Sequence, residues 1–393
     1  MWQTLRAWPV WKPARLTVLV IVFITAGLLL LAWQFGSQPG GLSPAEASSA
    51  SASHLQALAK NPFFAPWRLL QDILVKLGHQ SLWLDRLPSI LFGLGFLAAF
   101  FWLVSTWFGK LIAVYATIFL GATPFYILLA RSGTPRIMYL WPILIMAAWV
   151  WLGRTKGSLL AWWAFTLTIA LGLYVPGIIW LTVAGAIWRG RQLVTSFRQL
   201  EIKLEAMLAL AVVILIVPLI IALVFHPNLI KPYFLIPAHF DSILGILAGW
   251  GWMILAFVFR SHHHQTLILG QTAILDDAQI GLALLGGYIM WSRLRVSFYW
   301  LVGASLFVCL AAGLNDNFYL LAMALPLIAI LVGLGLRYLL VEWMHVFPRN
   351  PLARHFASIL MAVLVIVHVF YGVRYGLIAW PHSLAVQHLY VLK

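Results

Sequence analysis

Two arginines stand five residues apart at the junction of two long apolar stretches, in the segment ARSGTPRIM at 130–138. Arg131 and Arg136 flank a Gly-Thr-Pro turn, so both guanidinium groups can face one pocket. A guanidinium group forms paired hydrogen bonds with phosphate oxygens. The pair is therefore a candidate phosphate site, the alternative being that both side chains extend to lipid headgroups, as arginines do at many helix ends.

Two carboxylates earlier in the chain could take up a proton in a transfer reaction. Glu46 lies in GLSPAEA at 41–47, and Asp85 immediately precedes Arg86. A carboxylate at a membrane edge can act as a general base. The alternative for Glu46 is a solvated loop residue. For Asp85 it is an ion pair with Arg86 or a cap on the following helix.

The remaining polar residues give weaker signals. Lys231, in HPNLIKPYF, and Arg260 are additional cations that could contact the same substrate. Three adjacent histidines, His262, His263 and His264, cannot easily point at one ion from a regular element, so we expect no metal site there. We expect no cofactor either. Asp276 or Asp277 is expected to cap the next apolar helix.

Composition identifies the kind of protein that carries these residues. Of the 393 residues, 63% are hydrophobic and only 9% are charged, which indicates a polytopic membrane protein. The formal net charge of +15 could suit nucleic acid, but the sequence has no soluble basic domain or zinc-finger spacing. We therefore expect membrane lipids and no nucleic acid among its partners. Lys and Arg gather in cytoplasmic loops of membrane proteins, which accounts for the charge.

Charge also predicts how the chain crosses the membrane. About twelve apolar segments occur, and we expect about eleven transmembrane helices, the N-terminus being cytoplasmic and the first helix retained. Segment 243–259 is the exception, because its crossing would place many later arginines outside; we expect an interfacial helix there. The apolar segments lie near 16–34, 87–108, 111–129, 137–152, 158–174, 176–188, 206–225, 243–259, 278–292, 297–313, 317–336 and 356–372.

This topology places the candidate chemistry on the outer side of the cell membrane. The two long loops, 35–86 and 226–277, both fall outside, and loops on a rigid scaffold commonly carry binding sites. Within the first loop, the periodicity predicts an amphipathic surface helix at about 66–78. We expect one transmembrane domain over 1–393 with no soluble C-terminal domain. Seven of the ten carboxylates are outside: Glu46, Asp72, Asp85, Asp241, Asp276, Asp277 and Asp316.

The order of motifs resembles the C-type superfamily of membrane glycosyltransferases, especially the protein O-mannosyltransferases and the aminoarabinose transferases of lipid A. Those enzymes have one helix, a long outer loop with an Asp-Glu pair, a surface helix, and a span that opens with Arg-Leu-Pro-Ser. The matching stretches are GLSPAEA at 41–47, NPFFAPW at 61–67, RLPSILFG at 86–93, FGKLIAVYATIFLGATPFYILLARSG at 108–133 and FYLLAMALPLIAIL at 318–331.

The resemblance implies an all-α C-type glycosyltransferase fold and an activity. Such enzymes transfer a sugar, hexosyl or pentosyl, from a polyprenyl-phosphate donor to a glycan, lipid or protein acceptor on the non-cytoplasmic face. Glu46 would be the catalytic base, while Arg131 and Arg136, together with Asp85, Arg86 and Lys231, would bind substrate. The superfamily's usual catalytic Asp position holds Ala45 here, and Arg136 stands where many members have a second acidic residue.

These departures leave two other interpretations. The chain could be a catalytically degenerate relative that binds the lipid carrier or assists a partner enzyme. A transporter of lipid-linked sugars is less favoured, because transporters commonly show inverted repeats and the sequence shows no convincing internal repeat.

Overall fold

A computed structural model describes residues 39–78, 81–155, 158–197, 200–237, 239–240, 242–261 and 267–391. Most of the chain in these ranges is helical, and they contain no β-strand, as the all-α prediction requires. The predicted first span at 16–34 and the three histidines at 262–264 lie outside the described residues. The α-helices, in chain order, are α1 Pro44–Ser51, α2 Leu55–Lys60, α3 Ala65–Leu77, α4 Leu82–Phe108, α5 Lys110–Ala122, α6 Pro124–Arg131, α7 Pro142–Arg154, α8 Leu159–Gly172, α9 Ile178–Phe197, α10 Ile202–Phe225, α11 Ile230–Tyr233, α12 Ile243–Val258, α13 Asp277–Arg293, α14 Arg295–Leu314, α15 Leu325–Val346, α16 Pro351–Val373 and α17 Leu384–Leu389.

Several of these helices can cross a bilayer. Six helical stretches of the described residues are long and apolar enough, or seven if α5 and α6 form one bent span. The number of about eleven spans is therefore not confirmed. Segment 158–174 was counted as a span but forms a helix of only 14 residues, α8, whereas a crossing takes about 20 residues. Helix α12, in the segment expected to be interfacial, has 16 residues. The six stretches are Leu82–Phe108, Pro135–Arg154, Ile202–Phe225, Arg295–Leu314, Phe318–Val346 and Pro351–Ala379.

A bend of 65° separates α5 from α6. Pro124 follows the break and has no N–H to continue the first helix. The Thr123 N–H bonds to the Leu120 carbonyl oxygen at 3.3 Å, so the Phe119 carbonyl oxygen has lost its usual helical donor. Three side chains contact that oxygen instead: Thr123 Oγ1 at 2.6 Å, Gln279 Nε2 at 3.3 Å and His368 Nε2 at 3.2 Å. These contacts join the bend to α13 and α16, and they hold α6 at an angle to α5.

The helix cap predicted near Asp276 is present in the structure. The Asp276 side chain accepts the Gln279 N–H at 2.7 Å and begins α13, which confirms the predicted cap. The other Asp276 oxygen contacts His368 Nδ1, so the same residue also ties α13 to α16.

The first described segment folds against the membrane-spanning body. Its longest helix, α3, is found at the position predicted for a surface helix. Trp67 of α3 is fully buried, and its Nε1 donates to Ser89 Oγ of α4 at 3.0 Å. Leu77, by contrast, is 80% exposed. One face of α3 is therefore fixed to α4, the helix that also carries Asp85 and Arg86.

Candidate functional site

The centre of the candidate site is an ion pair buried between the first loop and α4. Glu46 is 1% exposed and Arg86 is 2% exposed. Arg86 Nη2 donates to Glu46 Oε2 at 3.1 Å and Arg86 Nε to Oε1 at 3.3 Å, a two-pronged arrangement typical of guanidinium and carboxylate. Arg86 also donates to two backbone carbonyl oxygens, from Nη1 to Pro39 O at 3.1 Å and from Nη2 to Gly41 O at 2.7 Å.

The sequence around Glu46 explains its orientation. Ser43 and Glu46 form a reciprocal cap at the start of α1: Ser43 Oγ accepts the Glu46 N–H at 3.2 Å, and Glu46 Oε2 accepts the Ser43 N–H at 3.2 Å. This is the Ser-x-x-Glu capping box, which satisfies two N–H groups that a helix leaves unpaired. The cap turns the carboxylate inward toward α4.

The same carboxylate holds the turn between α6 and the next helix. Glu46 Oε1 accepts the Gly133 N–H at 2.7 Å. On the other side of the turn, Ser89 Oγ donates to the Thr134 carbonyl at 3.2 Å. Arg86 and Ser89 are three residues apart in RLPS and so lie on one face of α4. The first loop and α4 together therefore fix the turn that separates Arg131 from Arg136.

The turn presents two guanidinium groups. Arg131 is the last residue of α6, and Arg136 lies in the short 3-10 helix Pro135–Leu140; both are partly buried. Arg131 is close enough to Arg86 for their charges to act on each other. The Arg136 guanidinium lies 3.4 Å from the ring centroid of Tyr319. A buried aromatic face stabilises a cation at that position.

Asn317 supports the Arg136 side of the site. Its Oδ1 accepts the Tyr319 N–H at 3.2 Å and caps the 3-10 helix Phe318–Ala324, while its Nδ2 donates to the Tyr139 hydroxyl at 3.2 Å. Tyr319 is thereby held between two elements and keeps its ring under Arg136. The turn therefore brings Arg131 and Arg136 to one place, and guanidinium groups suit the oxygens of an anion such as phosphate.

Four of the residues singled out from the sequence thus belong to one region: Glu46, Arg86, Arg131 and Arg136. Asp85 is adjacent and half-buried, and its Oδ1 accepts a hydrogen bond from Gln71 Nε2 at 3.3 Å. Both structural alternatives for Asp85 are wrong. Helix α4 already begins at Leu82, so Asp85 does not cap it, and Arg86 forms its salt bridge with Glu46.

Lys231 is in another part of the structure. It lies in the short helix α11 and is exposed. Its neighbours Leu229 and Tyr233 pack with Phe63 and Tyr174 in a cluster separate from the main core. Its role in binding substrate stays a prediction.

Sequence reasoning missed several residues of the site. Ser43 could have been found, since Ser-x-x-Glu before a helix is a known capping pattern. Tyr319 lies in the stretch 318–331, whose resemblance gave no residue a role. Tyr390, whose ring centroid is 5.7 Å from the Arg86 guanidinium, comes from the end of the chain and has no local pattern. Within the described ranges, His, Cys, Asp and Glu form no group of three that could hold a metal ion.

Gly133 gives a direct test of this packing. A Cβ added at Gly133 would lie 3.2 Å from both Cγ and Oε1 of Glu46. We expect Gly133→Ala to displace the carboxylate and to lower the free energy of unfolding by about 1–3 kcal/mol, the usual cost of overpacking. Gly95→Ala in α4 is the control, because a Cβ there meets no atom within 4 Å. Equal thermal midpoints for the two variants would contradict the contact.

Comparison with known proteins gives the fold its context. No protein-family model and no curated protein sequence matches the chain. Solved structures do match, among them ArnT from Cupriavidus metallidurans in the apo state and ArnT from the same organism bound to undecaprenyl phosphate. Each is 15% identical with a TM-score of 0.56, and the match covers 95% of this chain and 76% or 77% of the ArnT chain. The chain therefore has an ArnT-like fold.

Proposed function

We propose that this protein is an integral membrane glycosyltransferase that takes a sugar from a polyprenyl-phosphate donor and transfers it to a hydroxyl-bearing acceptor. One observation carries the proposal: a buried Glu46–Arg86 pair fixes the turn that presents Arg131 and Arg136. The similar ArnT structure bound to undecaprenyl phosphate supports a lipid phosphate as the anion. The sugar is a hexose or pentose in this proposal, and the acceptor is a glycan, lipid or protein.

The reaction explains why two arginines are useful. The acceptor oxygen bonds to the anomeric carbon of the sugar while the bond from that carbon to the phosphate oxygen breaks. The electron pair of the broken bond leaves with the polyprenyl phosphate, and the acceptor proton passes to a base. The leaving phosphate gains negative charge as the bond breaks. Guanidinium groups fixed beside it would stabilise the transition state more than the ground state.

The hydrogen bonds of Glu46 favour a positioning role. Its carboxylate accepts from Arg86 twice, from Gly133 and from Ser43. Four bonds occupy about all the acceptor positions of a carboxylate. We therefore assign the base to Asp85, which is less buried than Glu46, and give Glu46 the task of holding Arg86 and the turn. The earlier prediction that Glu46 is the base remains the alternative.

Two conservative variants separate these roles. We expect Asp85→Asn to reduce sugar transfer by about 10²–10⁴-fold, the usual contribution of a general base, while binding of undecaprenyl phosphate is retained. Glu46→Gln should weaken lipid binding and lower thermal stability as well. The measurement is transfer from a polyprenyl-phosphate sugar by purified protein in nanodiscs, with binding and thermal midpoint recorded in parallel. An active Asp85→Asn together with a stable, lipid-binding but inactive Glu46→Gln would return the base to Glu46.

A second function is supported by a specific observation. Ala45 stands where the resembling enzymes carry their catalytic Asp, and Glu46 is engaged in structural hydrogen bonds. A protein that binds the lipid carrier and assists a partner enzyme, without transferring sugar itself, would have the same residues and contacts at these positions. The transfer assay distinguishes the two: the wild-type protein would then bind undecaprenyl phosphate and transfer no sugar from any polyprenyl-phosphate donor offered.

We also propose that the site faces the outer side of the cell membrane. Cys309 is buried, so single cysteines introduced elsewhere can be labelled against a low background. Ser51 near the site and Ser196 at the end of α9 are both exposed. A membrane-impermeant maleimide added to intact cells should label Ser51→Cys and leave Ser196→Cys unlabelled until the membrane is opened. The reverse pattern would place the site in the cytoplasm.

A further inference from the structure

The chain returns to the candidate site after its last long helix. Following α16, a short π-helix at Arg374–Ala379 passes along α6, and a Cβ added at Gly376 would lie 3.0 Å from Ile127 Cγ2. Ser383 then caps α17, its Oγ accepting the Val386 N–H at 3.4 Å. Trp380, Val386 and Tyr390 are all buried in the main core. Residues 374–391, which we call the returning segment, are therefore packed against the helix that ends in Arg131.

Tyr390 brings the returning segment to the charged groups. Its ring packs edge-on against Trp380, with centroids 5.6 Å apart, and the Arg86 guanidinium lies 5.7 Å from its ring centroid. Its hydroxyl interacts with the Ser43 side chain. The hydroxyl is also close enough to Glu46 and Arg136 for their charges to act on it. One side chain thus meets the Glu46 cap and lies near the arginine on the far side of the turn.

The surroundings keep the Tyr390 ring neutral. Burial raises the pKa of the Tyr390 hydroxyl above its ordinary value, so the phenol remains protonated at neutral pH. A neutral aromatic ring attracts guanidinium groups through its electron-rich face. The hydroxyl also remains available to donate a hydrogen bond. Arg86 and Arg136 therefore have aromatic neighbours from two different elements, Tyr390 and Tyr319.

We propose that Tyr390 is a positioning residue of the lipid-phosphate site: its ring holds the Arg86 guanidinium and orders the Glu46, Gly133 and Arg136 contacts on which phosphate binding depends. The inference rests on the proposed function, since it assigns Tyr390 a part in the same site. It makes the returning segment a component of that site. A residue that acts through Arg86 need not touch the phosphate itself.

Fluorinated phenylalanines at position 390 test this inference. They keep the shape of the ring and progressively weaken its attraction for a cation, so a packing role alone would not respond to the series. Starting from Tyr390→Phe, we expect the Kd for undecaprenyl phosphate in nanodiscs to rise stepwise, by about three- to tenfold at the most fluorinated ring, with a constant thermal midpoint. The same series at Phe370, an exposed residue of α16, is the control and should leave Kd unchanged.

A Kd that does not change across the series at 390 overturns the inference. Arg131→Ala and Arg136→Ala are measured alongside. If they weaken binding while the 390 series is flat, the proposed function stands and the role of Tyr390 is wrong. If they leave binding unchanged, the proposed function fails first. Should Tyr390→Phe not yield monodisperse protein, a tyrosine with a single ring fluorine at 390 is compared with the wild type, since it keeps a neutral buried hydroxyl and the same criterion applies to it.

Discussion

Replacing Arg131 and Arg136 together by alanine should weaken undecaprenyl phosphate binding by about a hundredfold or more. Hydrogen bonds to a charged group contribute about 1.5–3 kcal/mol each, and two such contributions correspond to at least two powers of ten in affinity. Each single substitution should account for roughly tenfold. The measurement is a titration of purified protein in nanodiscs, in which both Kd and the dependence of Kd on salt concentration are recorded.

Exposed arginines elsewhere give the matched control. Arg189 and Arg191 lie on the exposed surface of α9, where Arg189 Nη1 donates to the nearby Gln192 side chain. Substituting both by alanine removes the same two charges without disturbing the turn. If this control variant weakens binding as much as the double variant of Arg131 and Arg136, the protein's overall positive charge attracts the anionic lipid. That result would contradict a specific phosphate site at Arg131 and Arg136.

The second large effect concerns stability. Glu46→Ala leaves Arg86 buried with its backbone partners but without its counter-ion, and such a loss costs about 3–5 kcal/mol. Arg86→Ala should cost a similar amount because it isolates the carboxylate. We expect a large fall in the thermal midpoint of either variant in detergent or nanodiscs. Arg191→Ala is the control, because Arg191 lies on the exposed surface of α9, where a substitution usually changes stability little.

A double substitution separates stability from function. Glu46→Leu with Arg86→Met removes both charges and keeps most of the volume, so much of the lost stability should return. Binding of undecaprenyl phosphate should not return, because the Gly133 N–H has lost its acceptor and the turn is no longer fixed. A double variant that binds the lipid normally would show that the ion pair does not organise the arginines.

Sequence reasoning located much of the site but could not assemble it. Arg131 and Arg136 are visible because charged residues are rare between apolar stretches. The partner of Glu46 is 40 residues away in sequence, so a capping box and an RLPS motif can each be read without any sign that they meet. Glu46 was predicted as a base because it stands at the acidic position of the resembling enzymes' first loop. Its four hydrogen bonds depend on the tertiary structure.

The same distinction explains the outcome for the fold. The cap at Asp276 was predicted correctly, since its partner is three residues away. Asp85 was considered as a cap because RLPS was taken as the helix start, whereas the helix begins one turn earlier at Leu82. The number of spans depends on bends such as the one before Pro124, and on helix lengths that apolar composition alone does not determine.

The most direct test is a cryo-EM structure of the protein in nanodiscs with undecaprenyl phosphate bound. We expect the lipid phosphate within hydrogen-bonding distance of both Arg131 and Arg136, with Glu46 still bonded to Arg86 and Gly133. A phosphate bound elsewhere, for example beside Lys231, with the Arg131 and Arg136 side chains directed away from it, would contradict the proposed site.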